Sequence, residues 1–106
     1  MNDYPNDADG DTLRRIANDG VDMTKPLMVE FHVSVPDAEE AQKIERLIGN
    51  VGFCCKRNYD DIDNEWLVIC SKEMVPSYEN VVSTQKMLAE LVSAQDAQLA
   101  GWGALG

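Results

Sequence analysis

The polar and apolar positions of the chain change period several times, and each change marks a structural element. From Leu27 to Val35 the period is two, with Leu27, Val29, Phe31, Val33 and Val35 on one face and Met28, Glu30, His32 and Ser34 on the other. That alternation is the mark of a strand with one face on a core. Pro36 ends it. Asp37 followed by Glu40 is a capping-box-like helix start, and Ala41, Ile44, Leu47, Ile48 and Val51 then recur at helical spacing as far as Gly52. Phe53 to Asp60 is strand-like and Asp61-Ile62-Asp63-Asn64 is turn-like. Glu65 to Lys72 carries the strongest β run, Trp66-Leu67-Val68-Ile69-Cys70, so the three segments predict a hairpin. After Val75-Pro76, the spacing of Tyr78, Val81, Val82, Gln85, Leu88, Leu91 and Val92 predicts a second long helix over Ser77 to Gln95, packed beside the first.

The two ends are weaker in pattern. Residues 1–8 read as a flexible acidic arm, and residues 9–106 as one domain. Asp9 or Asp11 caps a short helix whose apolar positions are Leu13, Ile16 and Ala17, with Gly20 as its left-handed stop. The tail, Gln98 to Gly106, predicts a short last strand despite its glycines, with Trp102 packing it onto the domain. A short helix followed by β-α-β-β-α-β is an α+β pattern, a ferredoxin-like sandwich: an antiparallel sheet with two long helices on one face and the other face open. In the hairpin, pairing Asp60 with Glu65 sets Cys55 opposite Cys70, while a slip of one residue opposes Cys54 and Cys70. The same slip decides whether Trp66, Val68 and Cys70 or Leu67 and Ile69 look into the core.

Composition narrows the function. The chain has 106 residues, 44% hydrophobic and 26% charged, which suits one folded domain and not a disordered segment. Its longest apolar run, Trp66 to Cys70, is far short of the about 20 residues that cross a bilayer as a helix. The start, Met1-Asn2-Asp3-Tyr4-Pro5, has neither the basic nor the apolar region of a secretory signal, so a cytoplasmic location is expected. Three cysteines, two of them adjacent, suit reduced thiols better than a disulfide framework. Nineteen acidic side chains against nine basic ones give a net charge of −10, which repels nucleic acid and anionic lipid and favours a protein partner with a basic surface.

Few constellations suggest chemistry. His32, the single histidine, shares the open strand face with Glu30, but no nucleophile is fixed beside them, and exposed polar residues are what such a face requires. The cysteines lack metal-site spacing and read as small hydrophobes, so no metal or cofactor is expected. Asp60-Asp61-x-Asp63 lacks the glycine and the distal glutamate of a calcium loop. Gly101-Trp102-Gly103 is no phosphate cradle, because no helix and no Lys-Ser/Thr pair follow it. Glu65 to Cys70 lacks the basic-Gly-aromatic pattern of an RNA-recognition strand.

In order and spacing, the chain resembles the ribonuclease E inhibitor RraB family. The resemblance rests on DGDTLRRIANDGVDMTKP (Asp9 to Pro26), VEFHVSVP (Val29 to Pro36), Gly52-Phe53, EWLVICSKEMVP (Glu65 to Pro76) and the terminal Gly101-Trp102-Gly103. Leu99 and Ala100 stand where a tyrosine and an acid can precede that motif in the family. What the resemblance implies is a ferredoxin-like domain, not an enzyme, that binds the endoribonuclease RNase E and lowers its activity, altering messenger RNA decay.

Two expectations follow. The first is a protein-binding regulator, monomeric or weakly dimeric, in which Asp3, Asp7, Asp9, Asp11, Asp60, Asp61 and Asp63 steer a basic partner and the open face, with Glu30 and His32, offers a second surface. The alternative is a dimeric small-molecule sensor of the ACT type, which shares the element order.

Overall fold

In a computed structural model that describes residues 4–105, the elements run α1 (Ala8–Asn18), β1 (Leu27–Val35), α2 (Ala38–Gly49), β2 (Cys54–Asp60), β3 (Glu65–Met74), α3 (Tyr78–Leu91) and β4 (Gln98–Leu105). The four strands form one sheet in the order β2-β3-β1-β4, with every neighbouring pair antiparallel. The fold is therefore α+β, three helices and a four-stranded antiparallel sheet.

β1 spans the nine residues its alternation predicts, and burial follows that alternation: Val29, Phe31, Val33 and Val35 are buried, whereas Glu30, His32 and Ser34 are half-buried and Met28 is exposed. The hairpin takes the first of the two registers. Asp60 faces Glu65 and Cys55 faces Cys70, which turns Trp66, Val68 and Cys70 toward the core and Leu67 and Ile69 away from it. Its turn is fixed by the Asp60 carboxylate, which accepts the backbone N–H groups of Ile62 (2.9 Å) and Asp63 (3.3 Å). Asn64 completes it at φ 52°, a left-handed conformation that asparagine tolerates.

The helix ends correct several expectations. The cap of α1 is Asp7, not Asp9 or Asp11: its carboxylate accepts from the Gly10 N–H at 2.8 Å, and the helix opens at Ala8, inside the stretch read as an arm. Asp9 and Asp11 lie in the first turn, where their charge suits the positive end of the helix dipole. A side chain at position 10 has no room, since a Cβ there would come within 1.9 Å of the Pro5 carbonyl oxygen. The chain leaves α1 through Gly20 at φ 89°. Asp37 caps α2 as expected, accepting from the Glu40 N–H at 2.8 Å. The other half of the capping box is replaced by a longer-range bond, because Glu40 accepts from the Asp96 N–H at 3.3 Å. α2 stops at Gly49, so Val51 lies beyond its apolar stripe and is exposed. α3 stops at Leu91, four residues short of Gln95. Its buried stripe is exhausted at Val92, the positions one turn further are the polar Gln95 and Asp96, and the Asp96 N–H is already bonded to Glu40.

One core lies between the sheet and the helices. Val29, Phe31, Val33 and Val35 of β1 and Val68 and Cys70 of β3 meet Ala41, Ile44 and Ile48 of α2, Leu88 of α3, and Val92 and Phe53 beside them. Phe31 is its centre, with the Phe53 ring edge-on at 6.2 Å and the Trp102 ring stacked at 6.5 Å. Trp102, Leu99 and Ala104 of β4 pack against this cluster, so the glycine-rich tail is a full strand and its tryptophan holds it to the domain. α1 packs on α3. Among the described residues, no helix is long and apolar enough to cross a membrane.

Truncating Phe31 to alanine removes the ring that both neighbouring rings touch. Phe31→Ala is expected to cost about 3–5 kcal/mol, read as a fall in the urea midpoint at unchanged slope; a loss below about 1 kcal/mol contradicts its central place.

Candidate functional site

The face of the sheet away from the helices carries no covering element among the described residues, and the strand registers place its side chains in rows. Cys54, Ser71, Glu30 and Gly103 form one row across β2, β3, β1 and β4. Lys56, Ile69, His32 and Gly101 form the next, and Asn58, Leu67, Ser34 and Gln98 the third. Leu67 and Ile69 give this face a half-buried apolar centre. At the β4 side, Gly101 and Gly103 present no side chain beside His32 and Glu30, and a Cβ at either glycine would meet nothing within 4 Å. Bare backbone therefore borders Glu30 and His32, and the face is open from that edge.

Charge is sorted between the two faces. The open face carries the carboxylates of Glu30, Asp60, Glu65 and Glu73 with Lys56 and His32. The other cations of the hairpin turn to the helix side: Arg57 pairs with Glu45 of α2 at 2.7 Å, and the Lys72 ammonium sits 5.3 Å from the centre of the Phe53 ring. The alternation of β2 and β3 thus leaves the outer surface negative.

At the end of this face, where β1 and β3 meet the connection from α3 to β4, lies a cleft of about 420 Å³. Ser34, Glu65, Gln95, Asp96 and Gln98 line it, and the Ser34 hydroxyl donates to Glu65 Oε2 at 3.2 Å. Two carboxylates and two carboxamides suit hydrogen-bond donors and cations.

The acidic residues singled out in the sequence fall into different roles. Asp3 lies outside the described residues. Asp7 caps α1 and accepts from the Tyr78 hydroxyl at 2.5 Å, tying α1 to α3. Asp9 accepts from the Trp102 indole N–H at 2.9 Å, tying α1 to β4. Asp11 pairs with Arg14 one turn along the same helix. Asp60 shapes the hairpin turn, and Asp61 and Asp63 are exposed at its tip. The N-terminal acids and the hairpin acids lie toward opposite edges of the sheet, since β4 is one edge and β2 the other. They do not form one patch. Glu30 and His32 do share the open face, as their spacing implies, together with Glu65 and Glu73, while Asp96 lines the adjoining cleft; sequence reading passed over these three carboxylates. The signal for Glu65 and Glu73 was the hairpin register, which assigns their faces once Asp60 is set opposite Glu65; nothing local marked Asp96.

Comparison with known proteins adds one positive result. A family model described as Regulator of ribonuclease activity B matches residues 6–104, nearly the whole chain. No curated protein matches the chain significantly.

The Asp7 contact has a pH signature. Hydrogen bonding from Tyr78, then from the Gly10 N–H, holds the Asp7 carboxyl below its ordinary range. A lowered folded value means that the contribution is present at neutral pH and is lost as pH falls from about 4 through the folded value. Tyr78→Phe removes the main cause, so its stability is expected to fall less steeply than that of the unsubstituted chain over this acid range, measured by urea unfolding at successive pH values. Parallel curves would show that the contact does not favour the carboxylate.

Proposed function

The chain belongs to the RraB family, regulators of ribonuclease activity, and from that premise we propose that it inhibits the endoribonuclease RNase E by binding it through the open face of the sheet, with no catalytic step of its own. The sorting of charge between the two faces carries this reading. A surface of half-buried leucine and isoleucine bordered by four carboxylates matches a basic protein segment, and an arginine-rich region of such a nuclease has that character. The apolar centre supplies contact area and the carboxylates supply orientation and fast encounter. Glu65 and Asp96 in the adjoining cleft extend the same chemistry, accepting a lysine or arginine side chain of the partner. Asp61 and Asp63 at the hairpin tip steer from further away, and Asp3, Asp7, Asp9 and Asp11 add to the general negative field.

The same reading keeps the domain ferredoxin-like, supported by the β-α-β-β-α-β order and the helices on one face. It places the protein in the cytoplasm with its nuclease, alone or as a weak dimer until it binds.

Affinity for purified RNase E, and inhibition of its RNA cleavage, test the proposal. Raising salt from about 0.05 to 0.3 M should weaken binding several-fold or more, because exposed charges are screened beyond about 6–10 Å. The pair Glu30→Lys and Glu65→Lys should weaken it about tenfold or more. Gly103→Phe, which extends into open space and leaves the core untouched, should block the face with little change in melting temperature. Equal affinity for all three forms, or affinity indifferent to salt, rejects the open face as the contact.

A further inference from the structure

The three thiols are free and take no part in the proposed binding surface except Cys54. Cys55 and Cys70 stand directly opposite each other on β2 and β3, and both point to the helix side: Cys70 is buried in the core and Cys55 is half-buried against it. Cys54 is exposed on the opposite face, opposite Ser71, so it cannot reach Cys70 without a slip of the whole hairpin. β2 is an edge strand, bonded in the sheet to β3 alone. Cys55 is thus approached from solvent at the edge, and its partner waits behind it.

We propose that Cys55 and Cys70 form a reversible disulfide on exposure to a hydroperoxide, making the β2–β3 hairpin a thiol switch. Directly opposed side chains on antiparallel strands stand roughly 4.5–5.5 Å apart at Cβ, and a disulfide asks for about 3.5–4.5 Å. Closure needs an approach of about 1 Å, which an edge strand held on one side supplies more readily than an inner one. The polarity of the pair suits the division of labour. The Cys70 thiol, by hydrogen bonding, lowers Cys55 below the ordinary thiol value, against the opposing effects of burial and Glu45. Cys70 itself is pushed far up, first by its bond to Cys55 and then by burial, and stays protonated.

The Cys55 thiolate attacks one oxygen of the hydroperoxide. The O–O bond breaks, the sulfur is oxidised to sulfenic acid, and the peroxide leaves as water or an alcohol after taking up a proton. Cys70 sulfur then attacks the sulfenic sulfur. The S–O bond breaks, the hydroxide takes the Cys70 proton and leaves as water, and the S–S bond forms. Two thiols and one hydroperoxide become one disulfide, one water and one water or alcohol. A disulfide that pulls two strands together carries strain, which keeps it open to reduction by a small thiol. Its formation pins the edge strand.

The test uses the full chain with Cys54→Ser, so that only the pair remains. After treatment with hydrogen peroxide, the protein is unfolded, its free thiols are alkylated and its intact mass is read. The expected result is a monomer lighter by two hydrogen atoms with no alkylation, and two alkylations after treatment with dithiothreitol. A second variant, Cys54→Ser with Cys55→Ser, changes a half-buried edge residue and is expected to show one alkylation at every stage. Two alkylations in the first variant after peroxide, a disulfide-linked dimer on a non-reducing gel, or stable addition of two or three oxygens at Cys55 would each overturn the proposal.

Discussion

Every other element takes its position from β1. It is an inner strand, bonded to β3 on one side and β4 on the other, and its alternation decides which side of the sheet is core. Because the side-chain period is two, a shift of one residue in either pairing would carry Val29, Phe31 and Val33 into water and Glu30 and His32 into the core, so the register is fixed by burial. Phe31 shows how much rests on it. Its ring meets Phe53, which precedes β2, and Trp102 in β4, so one side chain joins the two strands that form the edges of the sheet to its middle.

The same constraint creates the outer face. Once Val68 and Cys70 are committed to the core opposite Val33 and Phe31, Leu67, Ile69 and Ser71 have to face outward beside Ser34, His32 and Glu30. Once Arg57 and Lys72 follow the inner set of residues, their charges are spent on Glu45 and on the Phe53 ring. The negative outer surface is thus a consequence of the register as well as of the net charge of −10. The N-terminal acids have a different use. Asp7 and Asp9 fasten α1 to α3 and to β4, so the first helix closes over the ends of elements far later in the chain.

How much of this was legible in the sequence depended on distance along the chain. β1 followed from period-two alternation and the start of α2 from Asp37, both short-range signals, whereas the hairpin was legible but its register stayed open by one residue until the fold set Asp60 against Glu65. The errors lay where a distant partner decides. Tyr78, 71 residues from Asp7, and Trp102, 93 residues from Asp9, turn those two acids into tethers, and neither link is written in local pattern. Glu40 looked like the second half of a capping box and instead meets Asp96, which also helps to end α3 early. For the site, Glu30 and His32 were visible as same-face residues, whereas the cleft at Glu65 and Asp96 exists only because the connection after α3 returns to the end of β1.

The central claim is that β1 divides the molecule into a core side and a binding side. It is tested most directly by two-dimensional amide NMR of the chain, titrated with a synthetic arginine-rich peptide. The account predicts shifts concentrated at Glu30, His32, Leu67, Ile69, Ser71 and the neighbouring glycines of β4. Shifts confined to α1, α2 and α3, with the sheet residues unmoved, would contradict it.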